Sequence, residues 1–399
     1  MKKYIIIGNG VAGTTAGENI RNIDKEGNIK IISDEGLPFY SRIRLNEYIA
    51  GELKEEDLVI RKDSWYEDKN IELILNTRIV DANPEEKTIV TENGQVLSFD
   101  KLLIATGSHS FIPPIKGSDK TGVFALRNID DGANILKYAK DIDDVVVIGG
   151  GLLGLEVANA LRKTGKKINV VEFFSRLLPR QLDEGGANRL QGIMEKLGLS
   201  FRLDAKTSEI AGNERVEEVL LESGEKLPAQ MVIISAGVRP NLELAEMLGL
   251  NCGRGIAVNE KLETNVPDIF AAGDVAECNE MMYGIWPAST EQGKAAGINM
   301  ADGEFIYNGT AMANTLKVVG VDVASVGKID DDENFEAKIV SDEKVYKKIV
   351  FDNNKIIGCI MLGDKKGFNK ITKAVAEKID LAGLKQAILS PDFDYNKIL

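Results

Sequence analysis

The chain has 399 residues, 44% hydrophobic and 28% charged, and 49 Lys and Arg against 62 Asp and Glu give it a formal net charge of −13. That length exceeds one compact core and predicts two or three domains of a globular protein, not a disordered or fibrous one. The acidic balance leaves no basic excess to neutralise phosphates, which excludes a nucleic-acid partner. The longest apolar runs are strand-sized and fall far below the ~18 residues of a membrane span.

In chain order, Met1-Lys-Lys imitates the basic start of a signal peptide. Gly8 then stops the apolar run short of the roughly 7–15 residues that such a peptide needs. The run reads instead as a buried first strand, Lys3–Ile7. It breaks into Gly8-x-Gly10-x-x-Gly13, residues 11–20 read as a helix, and 29–32 as a second strand ending in Ser33-Asp34-Glu35. A lone Gly-x-Gly-x-x-Gly is weak evidence. Its weight comes from a strand before it, a helix after it and a carboxylate about 20 residues on, and Glu35 lies 22 positions past Gly13. Glycines let the backbone approach a pyrophosphate at a helix N-terminus, and the carboxylate accepts from ribose hydroxyls.

Residues 99–108 predict a buried strand ending at a Thr106-Gly107 turn. His109, the only histidine, follows in a loop and is given no catalytic role, and Pro113-Pro114 reads as a crossover linker. The glycine device then recurs. A strand at 145–148 leads into Gly149, Gly151 and Gly154, then a helix, Leu152–Lys163, then a strand at 168–171 ending in Glu172, 18 positions past Gly154. Two such contexts in one chain predict two dinucleotide sites. Glu172 would repel a 2′-phosphate, which favours NADH over NADPH at the second.

Residues 231–241 form a further strand with a turn at Ala236-Gly237, followed by Arg239-Pro240-Asn241. Another strand at 269–272 ends in Gly273-Asp274, where a carboxylate either meets a ligand in the sheet's crevice or caps the next helix. Cys252, Cys278 and Cys359 are far apart and form no metal-binding or disulfide pattern. They read as small buried hydrophobes in a protein of the reducing cytoplasm, and no metal site is expected. From Glu304 the pattern changes to two strand-like runs around Gly320, a hairpin across 344–364 and a helix near 368–378.

Taken in order, the two glycine turns, Ala105-Thr106-Gly107, Ala236-Gly237 and Ala272-Gly273-Asp274 resemble the two-dinucleotide flavoprotein reductases of the pyridine nucleotide–disulfide oxidoreductase superfamily, over about residues 1–300. The resemblance implies an α/β fold with two Rossmann-like dinucleotide-binding domains and a small C-terminal α+β domain. The FAD domain would span 1–112 and 243–303, the NAD domain 113–242, and the small domain 304–399. FAD would lie at the first cradle, with Glu35 on its ribose and Asp274 on its ribitol. NADH would lie at the second, with Glu172 on its ribose. Glu156 would stand near the nicotinamide–flavin contact, unless it is a helix-surface glutamate.

Disulfide reductases of this superfamily carry a C-x4-C pair after the first ribose carboxylate, and some oxidases a single cysteine. Residues 37–51, "LPFYSRIRLNEYIAG", contain none, so a thiol relay there is excluded. The segment is similar instead to the PY-x-R stretch of reductases that serve small iron–sulfur proteins. Arg42 or Arg44 would balance the reduced flavin or contact its pyrophosphate, unless they are surface residues. Glu47 stands where many of these reductases have a lysine, and Arg44 is the candidate replacement. Trp286 would either stack by the flavin or pack in the core.

The C-terminal piece resembles that of NADH:rubredoxin reductases and of the flavin module of nitrite reductase large subunits. The cysteine-rich continuation of the latter is missing, so the rubredoxin branch is the nearer match. The implied function is transfer of a hydride from NADH to FAD, then of single electrons to a small carrier such as rubredoxin. The alternatives are an NADH oxidase and an NADH-responsive flavoprotein switch. Monomer and homodimer both remain open, and no membrane partner is expected.

Overall fold

The computed structural model describes residues 1–310, 313–330, 334–390 and 392–398, with the backbone alone over 313–317. The C-terminal domain expected from sequence includes residues 311–312, 331–333, 391 and 399, which lie outside the described set. Two compact units are present. One comprises Met1–Arg44, Lys54–His109 and Val238–Thr310; the other comprises Leu45–Leu53, Ser110–Gly237 and Ala311–Leu399.

The first unit is built on a five-stranded parallel sheet in the order Ile269–Ala271, Lys101–Ile104, Lys3–Ile7, Asn28–Ile32, Ile71–Ile74. Its central strands are apolar on both faces, as a parallel sheet covered on both sides requires. Ile6, Ile31 and Leu103 align across it and are fully buried. The helix Val11–Ile23 packs on the helix Trp286–Met300 almost backbone to backbone. A Cβ at Gly293 or Gly297 would overlap the carbonyl oxygen of Ala12 or Ala16. A small antiparallel sheet, Ile79–Asn83 with Thr88–Thr91 and Val96–Ser98, adds Ile89 to the same core.

The second unit repeats the plan. Its parallel sheet runs Ser200–Arg202, Lys167–Val171, Asp144–Ile148, Met231–Ile234, Val123–Phe124. The same unit contains a five-stranded antiparallel sheet in the order Ala313–Val318, Val321–Gly327, Lys355–Leu362, Tyr346–Asp352, Glu336–Ser341. Strand alternation gives this sheet two buried faces. Val323, Ile360 and Leu362 join the core of the nucleotide-type fold. Ala324, Cys359 and Met361 point the other way, under the helix Phe368–Glu377.

One polar contact is built into the first of those faces. Asp183 caps the helix Glu184–Lys196 by accepting from the Gly186 N–H at 2.9 Å. It also accepts from the Tyr346 hydroxyl at 2.7 Å and from Lys348 Nζ at 2.9 Å. Lys348 is completely buried. Burial acts to raise the Asp183 carboxyl, but the bonds from Tyr346, Lys348 and Gly186 outweigh it and hold the group below the usual aspartate range.

The elements expected from sequence are present, with shifted ends. The first helix runs three residues further, to Ile23, and the strand expected over 99–108 is confined to Lys101–Ile104. His109 lies in a short strand, Ser108–Ser110, and not in a loop. Cys278 and Cys359 are buried as expected, but Cys252 is exposed. Partial burial and then the charges of Glu246 and Glu277 still push its thiol up, so it is a poor thiolate.

Candidate functional site

In the first unit, Gly8 follows the strand Lys3–Ile7 with φ of +114°, a conformation that glycine alone holds without strain. A Cβ there would overlap the Ala105 carbonyl, and one at Gly13 would overlap the Gly8 carbonyl. Gly10 differs, because no atom lies within 4 Å of where its Cβ would be. The protein's own packing therefore demands glycine at the first and third positions and leaves open space at the second. Gly10 is also the N-cap of the helix Val11–Ile23, with no side-chain cap and no acidic residue in the first turn. The free N–H groups and the helix dipole together favour an anion.

The second unit shows the same division of labour. A Cβ at Gly149 (φ +120°) would overlap Ser235 O, and one at Gly154 would overlap Gly149 O. Gly151, the uncapped N-cap of Leu152–Lys163, again has nothing within 4 Å. Each cradle thus has the room and the donors that a dinucleotide's pyrophosphate needs, so the residues present fit such a group.

The carboxylates end the adjacent strands. Glu35 accepts from the Tyr40 hydroxyl and from Arg42, so the structure brings together two of the residues singled out in the sequence. Arg44 closes the same short turn, Arg42–Arg44, and its N–H donates to Ser41 O at 3.2 Å. Glu172 is buried. One of its oxygens accepts from the Gly150 N–H inside the glycine turn, and the other from the Phe174 N–H at 2.8 Å. The carboxylate is thereby fixed against the cradle by the backbone that forms it.

Thr106 and Gly107 are locked to Asn241: Asn241 Nδ2 donates to Thr106 O at 2.8 Å, and the Asn241 N–H to Gly107 O at 3.0 Å. His109 Nδ1 lies 2.7 Å from Asn241 Oδ1 and serves the same turn. Asp274 accepts from the Ser108 hydroxyl at 3.0 Å. The Gly273 N–H donates to the buried Gln292 at 2.8 Å. Gly237 adopts φ +98° with open space where its Cβ would be. Trp286 opens the helix Trp286–Met300, half-buried, with its ring centroid 5.8 Å from that of Phe39.

Glu156 stands in the helix that follows the second glycine turn. Burial, and then the nearby charge of Glu47, push its carboxyl up to about 7, against a bond from Asn46 Nδ2 to Oε2 of 2.7 Å. Asn46 is a partner that sequence reading missed; 110 positions separate the two, and no local signal links them. The group's folded value lies above its ordinary 4.5, so the folded state holds an extra proton between those limits, and its contribution to stability is lost as pH rises through about 7. Glu156→Gln, which keeps an acceptor for Asn46 and does not titrate, therefore melts higher than wild type at pH 8. The gain shrinks as pH falls towards 5, as paired thermal melts will show; an equal gain at both pH values contradicts the assignment.

Residues 2–293 match the pyridine nucleotide-disulphide oxidoreductase family. The chain belongs to that family. Residues 313–379 match the rubredoxin NAD+ reductase C-terminal domain. The cofactors of this oxidoreductase family are FAD and NAD(H).

Among curated relatives, a nitrite reductase [NAD(P)H] of Bacillus subtilis is 37% identical over 98% of this chain and 49% of its own length. An NADH oxidase of Methanocaldococcus jannaschii is 33% identical over 95% and 89%. The crystal structure of NADH:rubredoxin oxidoreductase from Clostridium acetobutylicum superposes with a TM-score of 0.83 at 29% identity, over 97% of this chain and all of that one. The chain spans about half the length of the curated nitrite and nitrate reductase relatives that it matches. Among the described residues no helix is long and apolar enough to cross a membrane.

Proposed function

We propose that this oxidoreductase takes electrons from NADH and delivers them singly to a small iron protein of the rubredoxin class, acting in the reducing cytoplasm. The observation that carries the reading is a pair of uncapped glycine cradles with no cysteine in residues 37–51. The match of the C-terminal residues to the rubredoxin reductase domain supports the choice of acceptor. We divide the chain as its sequence suggests, into an FAD domain (1–112 and 243–303), an NAD domain (113–242) and a small domain (304–399).

FAD held at the first cradle supplies the chemistry that takes a hydride and gives up electrons one at a time. The residues do the rest. Gly10 leaves the space, and the first-turn N–H groups of Val11–Ile23 bind phosphate oxygens. Glu35 accepts from ribose hydroxyls, with Arg42 and Tyr40 fixing its orientation, and Asp274 accepts from the ribitol chain. At the second cradle Gly151 plays the part of Gly10. Glu172 binds the adenosine ribose and repels a 2′-phosphate, which makes NADH the preferred donor. Glu156, with a carboxyl near 7, holds or yields a proton beside the nicotinamide site, and Asn46 positions it. Trp286 and Phe39 shield the apolar side of the flavin site, while Arg42 and Arg44 supply its positive charge.

The test is an anaerobic acceptor panel. NADH-reduced protein is mixed with oxidised rubredoxin, then separately with oxygen. Fast rubredoxin reduction with slow oxygen consumption, and slower reaction with NADPH, is the expected result. The NADH oxidase relative favours the second reading, direct reduction of oxygen. Rapid turnover on oxygen with none on rubredoxin would establish that reading instead.

A further inference from the structure

Asn9 lies between the first two glycines of the N-terminal turn and is only 9% exposed. Its Oδ1 accepts from the Tyr66 hydroxyl at 2.8 Å, and the Tyr66 oxygen accepts from the Phe39 N–H at 3.1 Å. The direction of each bond is fixed by chemistry. A backbone N–H only donates, so the phenol hydrogen is left for Asn9, and the amide must offer its oxygen to it. Burial raises the Tyr66 hydroxyl above its ordinary value, which keeps that hydrogen in place.

The consequence is that Asn9 Nδ2, with two N–H donors, is closed to solvent and has no partner. A buried amide donor without an acceptor is costly, and folded proteins keep few of them. Here the orphan adjoins the two features that already call for an anion. Gly10, its neighbour, has open space where a side chain would be, and the helix it opens is uncapped.

We propose that Asn9 Nδ2 is a donor to a phosphate or ribose oxygen of the dinucleotide at this turn, with Tyr66 as the residue that positions it. The inference rests on the placement of FAD at the first cradle. The acceptor arrives with the ligand, parts the side chains at the mouth of the turn and satisfies the amide. Phe39 N–H, Tyr66, Asn9 and the ligand then form one continuous hydrogen-bond chain. This chain connects the glycine turn to the aromatic pair Phe39 and Trp286, 5.8 Å apart.

Apoprotein titrated with FAD, read by quenching of flavin fluorescence, tests this. Asn9→Ala is expected to weaken FAD binding about 10–100-fold, the range for loss of one bond to a charged or strongly polar acceptor. The variant removes the orphaned donor and, with it, the acceptor of the Tyr66 hydroxyl, so its apoprotein melt is recorded beside the affinity to show that the protein is folded. Tyr66→Phe, which lets the amide turn, weakens FAD binding by a smaller factor. In the unmodified protein, selective 15N labelling of asparagine is expected to show FAD slowing exchange of the Asn9 side-chain amide protons. FAD affinity of Asn9→Ala within about twofold of wild type overturns the proposal, as does amide exchange indifferent to FAD. Wild-type protein that binds no FAD sinks the placement of the cofactor itself, a result distinct from normal wild-type binding with an unaffected variant.

Discussion

Gly151→Ala purifies with a full complement of flavin, unfolds at the wild-type temperature, and is reduced by NADH at least about 100-fold less efficiently, a loss of about 2.7 kcal/mol in transition-state stabilisation. The backbone at Gly151 has φ −77° and ψ 176°, ordinary values for any residue, and a Cβ meets nothing within 4 Å. The fold therefore accepts a methyl there at a cost of a few tenths of a kcal/mol, the difference between glycine and alanine at an N-cap. The methyl occupies the space that a pyrophosphate needs in order to reach the first-turn N–H groups. Gly154→Ala is the matched contrast. Its Cβ would overlap the Gly149 carbonyl, so that protein loses stability whether or not nucleotide is present. Equal flavin-reduction rates for Gly151→Ala and wild type, measured by anaerobic stopped flow, would remove the second cradle from the mechanism.

Lys348→Met lowers the unfolding free energy of the chain by about 3–5 kcal/mol in urea, the cost of stranding a buried charge. The ammonium is fully buried and bonded to Asp183, so its removal leaves the carboxylate with the Tyr346 hydroxyl and the Gly186 N–H but without its counter-charge. Adding Asp183→Asn to Lys348→Met restores much of the loss, because the stranded charge is gone, the amide oxygen still accepts from the Gly186 N–H, and the amide NH2 donates to the Tyr346 hydroxyl oxygen. Asp183 is held below its ordinary 3.8 in the folded state. Its ionised form contributes stability above the unfolded value, and that contribution disappears as pH falls through the lowered folded one. Wild-type protein accordingly loses stability on acidification below about pH 4 in a way that the double variant does not. A loss under about 1 kcal/mol for Lys348→Met would mean that the pair behaves as a surface contact.

The two cradles were legible because their signal is local. Gly8 to Glu35 and Gly149 to Glu172 each fall within one strand–turn–helix–strand unit, whose spacing is set by backbone geometry. The strand Lys3–Ile7 and the helix Leu152–Lys163 begin and end where the apolar pattern and the glycines place them. What escaped was long-range. Asn46 reaches Glu156, Tyr66 reaches Asn9, and Lys348 reaches Asp183, across 110, 57 and 165 positions. Nothing in "YKKIVF" tells which of Lys347 and Lys348 is buried. Alternation places Lys348 on the face it shares with Tyr346, but only the folded sheet shows that this face is covered. Arg42 came from its motif, but its bond to Glu35, seven positions away, carried no signal in the sequence.

The shared core within the second unit bears on how this chain can be cut and recombined. Sequence families part between residues 293 and 313, an inviting place to exchange one C-terminal module for another. The physical seam is elsewhere. Val323, Tyr346, Ile360 and Leu362 belong to the same apolar cluster as Leu190 and Met194, and the cap of Glu184–Lys196 is completed by residues 346 and 348. A chimera joined at the family boundary inherits a bare apolar surface and an aspartate stripped of its cation. Grafts that succeed will carry Asp183 and its antiparallel sheet as one heritable block, or will replace Asp183, Tyr346 and Lys348 together.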